Sequence, residues 1–189
     1  MLRSEINKAY LAANSCFAVN NWKLPPNPKW DITDFGLGNF NSFGLVLINL
    51  AQEPEYCEKL MFAKENQETP MHYHKAKKED IICRNGKLGL LLFAKGYDVQ
   101  HPKMINIKLN GEIKSYKEGS QLILNEGERI TIEPLVWHSF KPIDGACIIG
   151  EISTFNDDAN DNFFENPEVG RYPEITEDEP PLVTLLSEK

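Results

Sequence analysis

The sequence has only four cysteines among 189 residues, and no two of them form a CxxC pair. Neither a zinc knuckle nor a dithiol redox motif is therefore predicted. Each cysteine lies beside apolar neighbours, which is typical of reduced thiols that are buried as small hydrophobic side chains. The four positions are Cys16, Cys57, Cys83 and Cys147.

Long apolar runs and an excess of positive charge are also missing. No apolar run approaches the roughly 20 residues of a membrane-spanning helix, and the opening stretch MLRSEINKAYLAAN has no continuous apolar core of the kind found in signal peptides. The chain has 20 Lys and Arg against 28 Asp and Glu, a net charge of -8. We therefore expect neither nucleic acid nor a membrane as partner, but a small molecule and a cytoplasmic location.

The length and the order of the patterns predict one domain. Apolar residues from Ile6 to Phe17 recur at spacings of four, three and four, which predicts a helix over about residues 4–20 with Ser4 as its N-cap. The prolines of KLPPNPKW end this helix. Residues 156–189 are acidic and contain prolines, so we expect them to form an irregular C-terminal wrap.

Ten short apolar or alternating runs lie between about residues 44 and 155, most of them separated by Gly, Asn, Pro or Asp. Two of these runs flank Asn110 and Gly111, the strongest short-range indication of a β-hairpin. Short strands at this spacing predict an antiparallel sandwich or barrel. The fold class is therefore all-β.

The stretch TPMHYHKAKKED holds two of the four histidines and a carboxylate close behind them. Side chains alternate faces along a strand, so His72 and His74 point the same way and Tyr73 points the opposite way. Glu79 has the wrong parity to share their face on one straight strand. The intervening KAKK must bend or bulge if the carboxylate is to join the imidazoles.

A third imidazole comes from one of the two remaining histidines. His101 lies next to a proline in the polar stretch YDVQHPK, whereas His138 lies in the apolar strand LVWHSF, and we select His138. Three imidazoles and a carboxylate suit manganese, iron, nickel, cobalt or zinc, with positions left open for substrate. The predicted metal ligands are His72, His74, Glu79 and His138.

Two stretches resemble the sequence motifs of the cupins. The spacing of the paired histidines, Glu79 and Gly86 matches the first motif, and NEGERITIEPLVWHSF, which contains His138, resembles the second. In that second motif cupins usually have a glycine shortly after the proline, but here Leu135 follows Pro134. The resemblance implies a jelly-roll barrel.

Three further stretches, HYHKAKKEDIICRNG, GEISTFNDDANDNFF and GRYPEITEDEPP, are together similar to the D-lyxose ketol-isomerases, which are metal-dependent cupin sugar isomerases of bacteria. The resemblance implies a homodimer with one manganese per subunit. It also implies interconversion of D-lyxose and D-xylulose through a metal-bound cis-enediolate, often with D-mannose and D-fructose as slower substrates.

An aldose-ketose isomerase has to remove a proton from C2 and return one to C1. Glu151 follows an apolar strand in IIGEIST, where alternation points it into the barrel, and we assign it this acid/base role. Lys77 shares the face of Glu79 if the chain is locally extended, and we assign it as the second proton-handling group. The structural alternatives are a paired interior charge for Glu151 and a solvated lysine-rich face for Lys77.

Polar residues of the C-terminal stretches are candidates for binding the sugar hydroxyls farther from the metal. The aspartates offer acceptors and the arginine a donor, although turn residues, helix caps and a clamp on the acidic tail are the structural alternatives. The candidates are Asp157, Asp158, Asp161 and Arg171.

Other cupin functions use the same ligands. An iron-dependent cupin dioxygenase would consume dioxygen, and a non-catalytic sugar-binding cupin would tolerate the loss of Glu151 and Lys77. A cupin phosphosugar isomerase would need a basic phosphate pocket. For such a pocket the chain offers little beyond Lys75, Lys77, Lys78 and Arg84.

Overall fold

A computed structural model of the chain describes residues 1–157, 160–170 and 174–188. Its helices are α1 (Arg3–Val19), α2 (Phe40–Phe43) and a short 3-10 helix at Leu186–Glu188. Its strands are β1 (Lys29–Thr33), β2 (Leu45–Gln52), β3 (Cys57–Ala63), β4 (His72–Tyr73), β5 (Glu79–Asn85), β6 (Lys87–Phe93), β7 (Met104–Leu109), β8 (Glu112–Lys117), β9 (Leu122–Asn125), β10 (Arg129–Ile132), β11 (Trp137–Pro142), β12 (Cys147–Ser153) and β13 (Phe163–Phe164).

The strands form two antiparallel sheets. The larger sheet has the order β1-β2-β3-β12-β5-β10-β7-β8, and the smaller sheet has the order β13-β4-β11-β6-β9. Apolar side chains from both sheets, among them Met61 and Leu90, pack into one buried cluster between them. Two sheets joined by such a core form a jelly-roll barrel, so the predicted fold class is confirmed.

All ten predicted strand runs are strands of the structure. The hairpin is also confirmed, because Asn110 and Gly111 both have positive φ (51° and 86°) and Leu109 pairs with Glu112 across the turn. Strands β1, β4 and β13 were not among the ten, and β1 extends the larger sheet on the N-terminal side of residue 44.

Helix α1 covers the outer face of the larger sheet. Ile6 and Phe17 from the helix pack in a second buried cluster with Val46, Ile48 and Phe62, whereas the alternate residues of β2 face the barrel interior. In the described part of the chain, no helix is both long enough and apolar enough to cross a membrane.

The predicted N-cap of α1 was wrong. The helix begins at Arg3, its N-cap position is Leu2, and the Leu2 N–H donates to Oε2 of Glu5 at 3.0 Å. Ser4 lies inside the first turn, where its N–H donates to Oδ1 of Asp178 at 2.8 Å. A carboxylate from the distant C-terminal segment therefore accepts from an N–H of the first turn, and Ser4 takes part through its backbone and not as the N-cap.

The C-terminal segment is anchored to α1 by buried polar contacts. The Arg3 side chain is 1% exposed, and its guanidinium pairs with Glu177 at 2.6 Å and with Glu188. The Asn7 amide donates to Oε1 of Glu179 at 2.7 Å. The two ends of the chain thus lie together on the outer face of the larger sheet.

The cysteine prediction is largely confirmed. All four thiols are free, and Cys57, Cys83 and Cys147 are buried. Cys16 is half-buried on α1.

Candidate metal centre

The candidate ligands meet where the chain passes from one sheet to the other. His72 lies in β4 of the smaller sheet and pairs directly with His138 in β11. Glu79 begins β5 of the larger sheet, and the chain bends at residues 75–76 between them. The predicted bend is therefore present, and it brings a carboxylate from the larger sheet to imidazoles of the smaller one.

The four ligand groups converge inside the barrel. One nitrogen or oxygen from each of His72, His74, Glu79 and His138 lies within 4.8 Å of all the others. Nε2 of His138 is 2.9 Å from Oε1 of Glu79, and Nε2 of His74 is 3.7 Å from Oε2. Except for His72, which is half-buried, the residues are buried. This cluster has the composition expected for a divalent first-row metal.

Hydrogen bonds fix which ring nitrogen of each histidine faces the cluster. Every Nδ1 lies next to a backbone carbonyl, which can only accept, so Nδ1 carries the hydrogen and Nε2 keeps its lone pair. The three pairs are His72 with Pro70 O at 2.8 Å, His74 with Asp161 O at 2.7 Å and His138 with Val136 O at 3.0 Å.

The protonation states also suit a cation. Burial, together with the neighbouring His138 and His74, lowers the pKa of His72 well below its ordinary value. Burial also lowers the pKa of His74, even though Glu79 opposes it. Burial alone would raise the pKa of Glu79, but the Lys77 ammonium and the histidines outweigh it and the pKa is well below its usual range. Neutral imidazoles and an ionised carboxylate are the forms that bind metals.

Two atoms of the cluster have no hydrogen-bond partner among the described residues. They are Oε1 of Glu79 and Nε2 of His138, and both are buried. A buried polar atom left unsatisfied costs about 1–3 kcal/mol. A cation bound by both atoms would remove this cost, so the residues present fit a metal ion.

A second charged group lies beside the ligands. Glu151 in β12 is directly opposite Lys59 in β3, and Ser153, two residues on, is opposite Glu79. Nζ of Lys59 is 3.2 Å and Nζ of Lys77 is 3.0 Å from the same oxygen, Oε1 of Glu151. Lys77 also reaches Oε2 of Glu79 at 2.8 Å. Two lysines and two carboxylates thus form one buried network.

The network fixes the charge of its members. Burial would raise the pKa of Glu151, but the ammonium groups of Lys59 and Lys77 hold it below its ordinary value. Burial would lower the pKa of Lys77, but Glu151 and Glu79 together raise it. Glu151 is therefore a carboxylate and Lys77 an ammonium at neutral pH.

A cavity of about 770 Å³, measured with its open mouth, connects the ligands and this network. Ligand pockets in proteins typically measure about 300–1,000 Å³. The polar lining includes Lys59, Lys77 and Glu151 beside His72, His74 and Glu79, and the apolar lining includes Phe35 and Phe164. A small polar molecule with an apolar face matches such a lining.

Two of the predicted sugar-binding aspartates, Asp157 and Asp161, bind backbone groups of the chain. The Asp161 carboxylate accepts the backbone N–H groups of Lys75, Ala76 and Lys77 at 2.7–3.2 Å, which caps the bend before Glu79. Asp157 accepts from the N–H of Asn160 at 3.1 Å. Neither residue lines the cavity, because both carboxylates bind the chain itself.

The other two predicted sugar-binding residues, Asp158 and Arg171, lie outside the described residues. His101 is exposed, and its Nδ1 lies 2.7 Å from Oδ2 of Asp98, so it is not part of the cluster. The selection of His138 over His101 therefore agrees with the geometry.

Lys59 and Asn162 are among the cavity residues that the sequence analysis missed. Lys59 could have been found, because alternation along CEKLMFA places it on the same inward face as Cys57 and Met61. Asn162 also lines the cavity, and its buried Oδ1 has no partner among the described residues. The sequence around Asn162 carries no pattern that distinguishes it from its polar neighbours.

Leu135 adopts the backbone conformation of the glycine that cupins usually have after this proline. Its φ is 69°, in the left-handed region where glycine is ordinarily found, and its N–H donates to the carbonyl of His74 at 2.7 Å. This bond joins the end of the first histidine pair to the turn before His138. The position keeps the glycine conformation with a leucine side chain.

The fold and the site define a cupin-type barrel with a three-histidine, one-carboxylate centre. The chain belongs to the D-lyxose isomerase family, whose sequence model matches residues 27–189. It is similar to the D-lyxose/D-mannose isomerase of Escherichia coli O157:H7, with 38% identity over 173 residues that cover 84% of this chain and 75% of that protein. The D-lyxose/D-mannose isomerase of Serratia proteamaculans is 37% identical over 172 residues, with the same coverage of each chain.

Solved structures share the fold at low sequence identity. The ligand-free L-ribose isomerase of Cellulomonas parahominis superimposes with a TM-score of 0.69 at 15% identity, covering 93% of this chain and 98% of that one. At this level of identity the likeness concerns the fold alone.

Proposed function

We propose that this protein is an aldose-ketose isomerase that interconverts D-lyxose and D-xylulose, and more slowly D-mannose and D-fructose. The observation that carries the proposal is an ionised, buried Glu151 next to a candidate metal centre in one small-molecule cavity. Membership of the D-lyxose isomerase family supports the reaction, and the names of the curated relatives support both aldoses.

We assign His72, His74, Glu79 and His138 as the ligands of one divalent metal per subunit. Manganese is the proposed ion, and the same donor set also suits iron, nickel, cobalt or zinc. The metal would supply the electrophile that stabilises negative charge on the sugar oxygens O1 and O2 while the carbonyl moves between C1 and C2.

Glu151 is the proposed acid/base. Lys59 and Lys77 contact its Oε1 at 3.2 and 3.0 Å, which orients the carboxylate. In the proposed reaction the second oxygen, Oε2, removes the proton from C2, and the same carboxyl group then returns a proton to C1 of the cis-enediolate. A second proton passes from the O2 hydroxyl to O1, which completes the conversion of aldose to ketose. A positioned general base of this kind contributes a factor of about 10² to 10⁴ in rate.

Lys77 is the proposed second proton-handling group. Its raised pKa favours the ammonium form, which donates hydrogen bonds and offsets the charge of both carboxylates. We assign Lys59 to the same network, where it holds Glu151 from the other side. Asn162 is a further candidate acceptor for a sugar hydroxyl, whereas the geometry of Asp157 and Asp161 supports backbone capping.

The test is incubation of the manganese-loaded protein with D-lyxose in deuterated water. We expect D-xylulose to form without oxygen uptake, with deuterium at C1 reporting exchange of the transferred proton with solvent. Oxygen uptake would instead support the iron-dependent dioxygenase. Metal-loaded protein that is inert toward a panel of pentoses and hexoses would overturn the proposal in favour of a non-catalytic sugar-binding cupin.

We further propose a cytoplasmic homodimer. The family resemblance supports the dimer, and the four free thiols support a reducing compartment. Light scattering on the purified protein should give twice the chain mass of 21.5 kDa, and a mass equal to one chain would contradict the dimer. Recovery of the protein in the cytoplasmic fraction of the cell tests the location.

A further inference from the structure

Phe35 has a backbone conformation that aromatic residues rarely adopt. It follows β1 and has a φ of 57°, in the left-handed region. Such a conformation costs a bulky residue roughly 1–3 kcal/mol and persists only where the surroundings impose it. A strained conformation at Phe35 suggests that the position of its side chain has a function.

Three hydrogen bonds impose the conformation. The Phe35 N–H donates to Oγ1 of Thr33 at 2.8 Å, and the next N–H, of Gly36, donates to Oδ1 of the buried Asp34 at 3.0 Å. The carbonyl of Phe35 accepts from the N–H of Gly170 at 2.8 Å. Two chain segments that are distant in sequence therefore fix the position from which the Phe35 ring projects.

The ring lines the same cavity as three of the candidate metal ligands, His72, His74 and Glu79. It packs edge to face against Phe164, with centroids 6.2 Å apart, and Phe164 in turn lies 5.5 Å from the ring of His72. Phe164 therefore lies between Phe35 and the metal centre, and the two phenylalanine rings form an apolar wall of the cavity. A sugar with C1 and C2 at the metal centre would extend its remaining carbons along this wall.

We propose that Phe35 is a specificity-determining residue, whose ring limits the space for the carbons of the sugar farthest from the metal centre. This inference rests on the proposed isomerase function. D-lyxose and D-mannose have the same configuration from C2 to C4, and D-mannose carries one additional CH2OH group. The Phe35 ring therefore disfavours the hexose relative to the pentose.

The test measures kcat/KM for both sugars in the manganese-loaded protein. Phe35→Ala and Phe35→Gly both remove the ring, whereas only glycine also relaxes the backbone. When an apolar wall discriminates between substrates that differ by one carbon, their kcat/KM values typically differ by about tenfold or more. We expect the ratio of kcat/KM for D-mannose to that for D-lyxose to rise about tenfold in both variants.

Phe163→Ala is the matched control. Phe163 is the neighbour of Phe164 in β13, but its exposed ring stacks on Tyr73 at 5.0 Å and does not line the cavity. Its sugar ratio should stay within about twofold of the original. Phe35→Leu, which keeps an apolar side chain of shorter reach, serves if the smaller residues do not fold.

The possible results separate the two proposals. An active original protein whose Phe35 variants change both sugars by the same factor overturns the specificity role and leaves the isomerase function intact. A ratio that rises with glycine but not with alanine also overturns it, since only glycine relaxes the backbone and the backbone would then be the cause. An original protein that isomerises no sugar overturns the proposed function and, with it, this inference.

Discussion

Nε2 of His138 and Oε1 of Glu79 lie 2.9 Å apart inside the barrel, and neither has a hydrogen-bond partner among the described residues. Because Nδ1 of His138 donates to a backbone carbonyl, the two facing atoms both carry lone pairs. Two buried acceptors in contact are unfavourable unless a positive charge lies with them. This contact is the geometric basis for the metal-binding predictions.

Replacing Glu79 with glutamine should remove most of the metal affinity. Gln has the same shape, but it lacks the negative charge and places an amide where an oxygen ligand belongs. We expect manganese affinity to fall at least about a hundredfold, more than is lost with a partner that only orients a ligand. Metal content after dialysis, measured by mass spectrometry, gives the result.

Glu133→Gln is the control for that substitution, because Glu133 forms an exposed pair with Lys78 on the surface. It should bind manganese like the original protein. Full manganese occupancy in the Glu79 variant would show that the four residues do not act together as ligands.

Replacing Glu151 with glutamine should preserve metal binding and remove turnover. The amide cannot take a proton from C2, so kcat should fall by a factor of about 10² to 10⁴. Isomerisation of D-lyxose gives the rate, and metal content confirms that the centre is intact. A variant with the original kcat would mean that another group carries the proton.

Replacing Asp161 with alanine should destabilise the protein and loosen the metal centre. The carboxylate caps three buried or partly buried N–H groups, at residues 75–77, and the adjacent carbonyl orients His74. Loss of these bonds should reduce the free energy of unfolding by about 3 kcal/mol. Urea unfolding measures the change.

Asp157→Ala is the comparison, because the Asp157 carboxylate binds the exposed Asn160 rather than the bend before Glu79. Its effect on the free energy of unfolding should be under about 1 kcal/mol. Equal stability of the two variants would contradict the capping role of Asp161.

The anchoring of the C-terminal segment by Arg3 should weaken in acid. Hydrogen bonds from the Arg3 guanidinium lower the pKa of both Glu177 and Glu188 from the ordinary value of 4.5. A carboxyl whose pKa is lowered by folding stabilises the native state above its unfolded pKa and loses that effect as the pH falls through the folded pKa. The stabilisation should therefore be complete at pH 7 and decline below about pH 4.5.

Unfolding in urea at several pH values between 7 and 3 tests this, with Arg3→Met compared with the original protein. The difference in unfolding free energy should be largest at pH 7 and should shrink in acid. Arg129→Met, which removes a more exposed pair with Asp80, should show a small difference throughout. A difference for Arg3→Met that does not vary with pH would contradict the ion-pair explanation.

The sequence predicted the barrel well because each of the ten strand runs is long enough to show apolar alternation. It did not predict β13, because two residues show no recognisable period, and it treated β4 as extended on account of the paired histidines and not of an apolar pattern. The Ser4 cap was wrong for a related reason. The carboxylate that accepts from the Ser4 N–H, Asp178, is close only after the chain has folded.

The four candidate metal ligands could be predicted from local sequence. His72, His74 and Glu79 have a recognisable spacing, and His138 lies in an apolar strand. The sugar contact of Asp161 stays a prediction. Its carboxylate binds a backbone turn, and composition cannot tell such a carboxylate from one that faces a cavity. The partnership of Lys59 with Glu151 required strand pairing, which joins residues 92 positions apart.

The Phe35 ring and the metal ligands are supplied by different parts of the chain. The ligands lie in or beside β4, β5 and β11, whereas Phe35 projects from the loop after β1 and is held in part by Gly170. If Phe35 has the proposed specificity role, mutations in that loop or next to Gly170 would alter which sugar is accepted without replacing a metal ligand. A library of variants in this loop is therefore a suitable start for directed evolution toward other aldoses. Related enzymes could diverge in sugar preference by substitutions at the same positions.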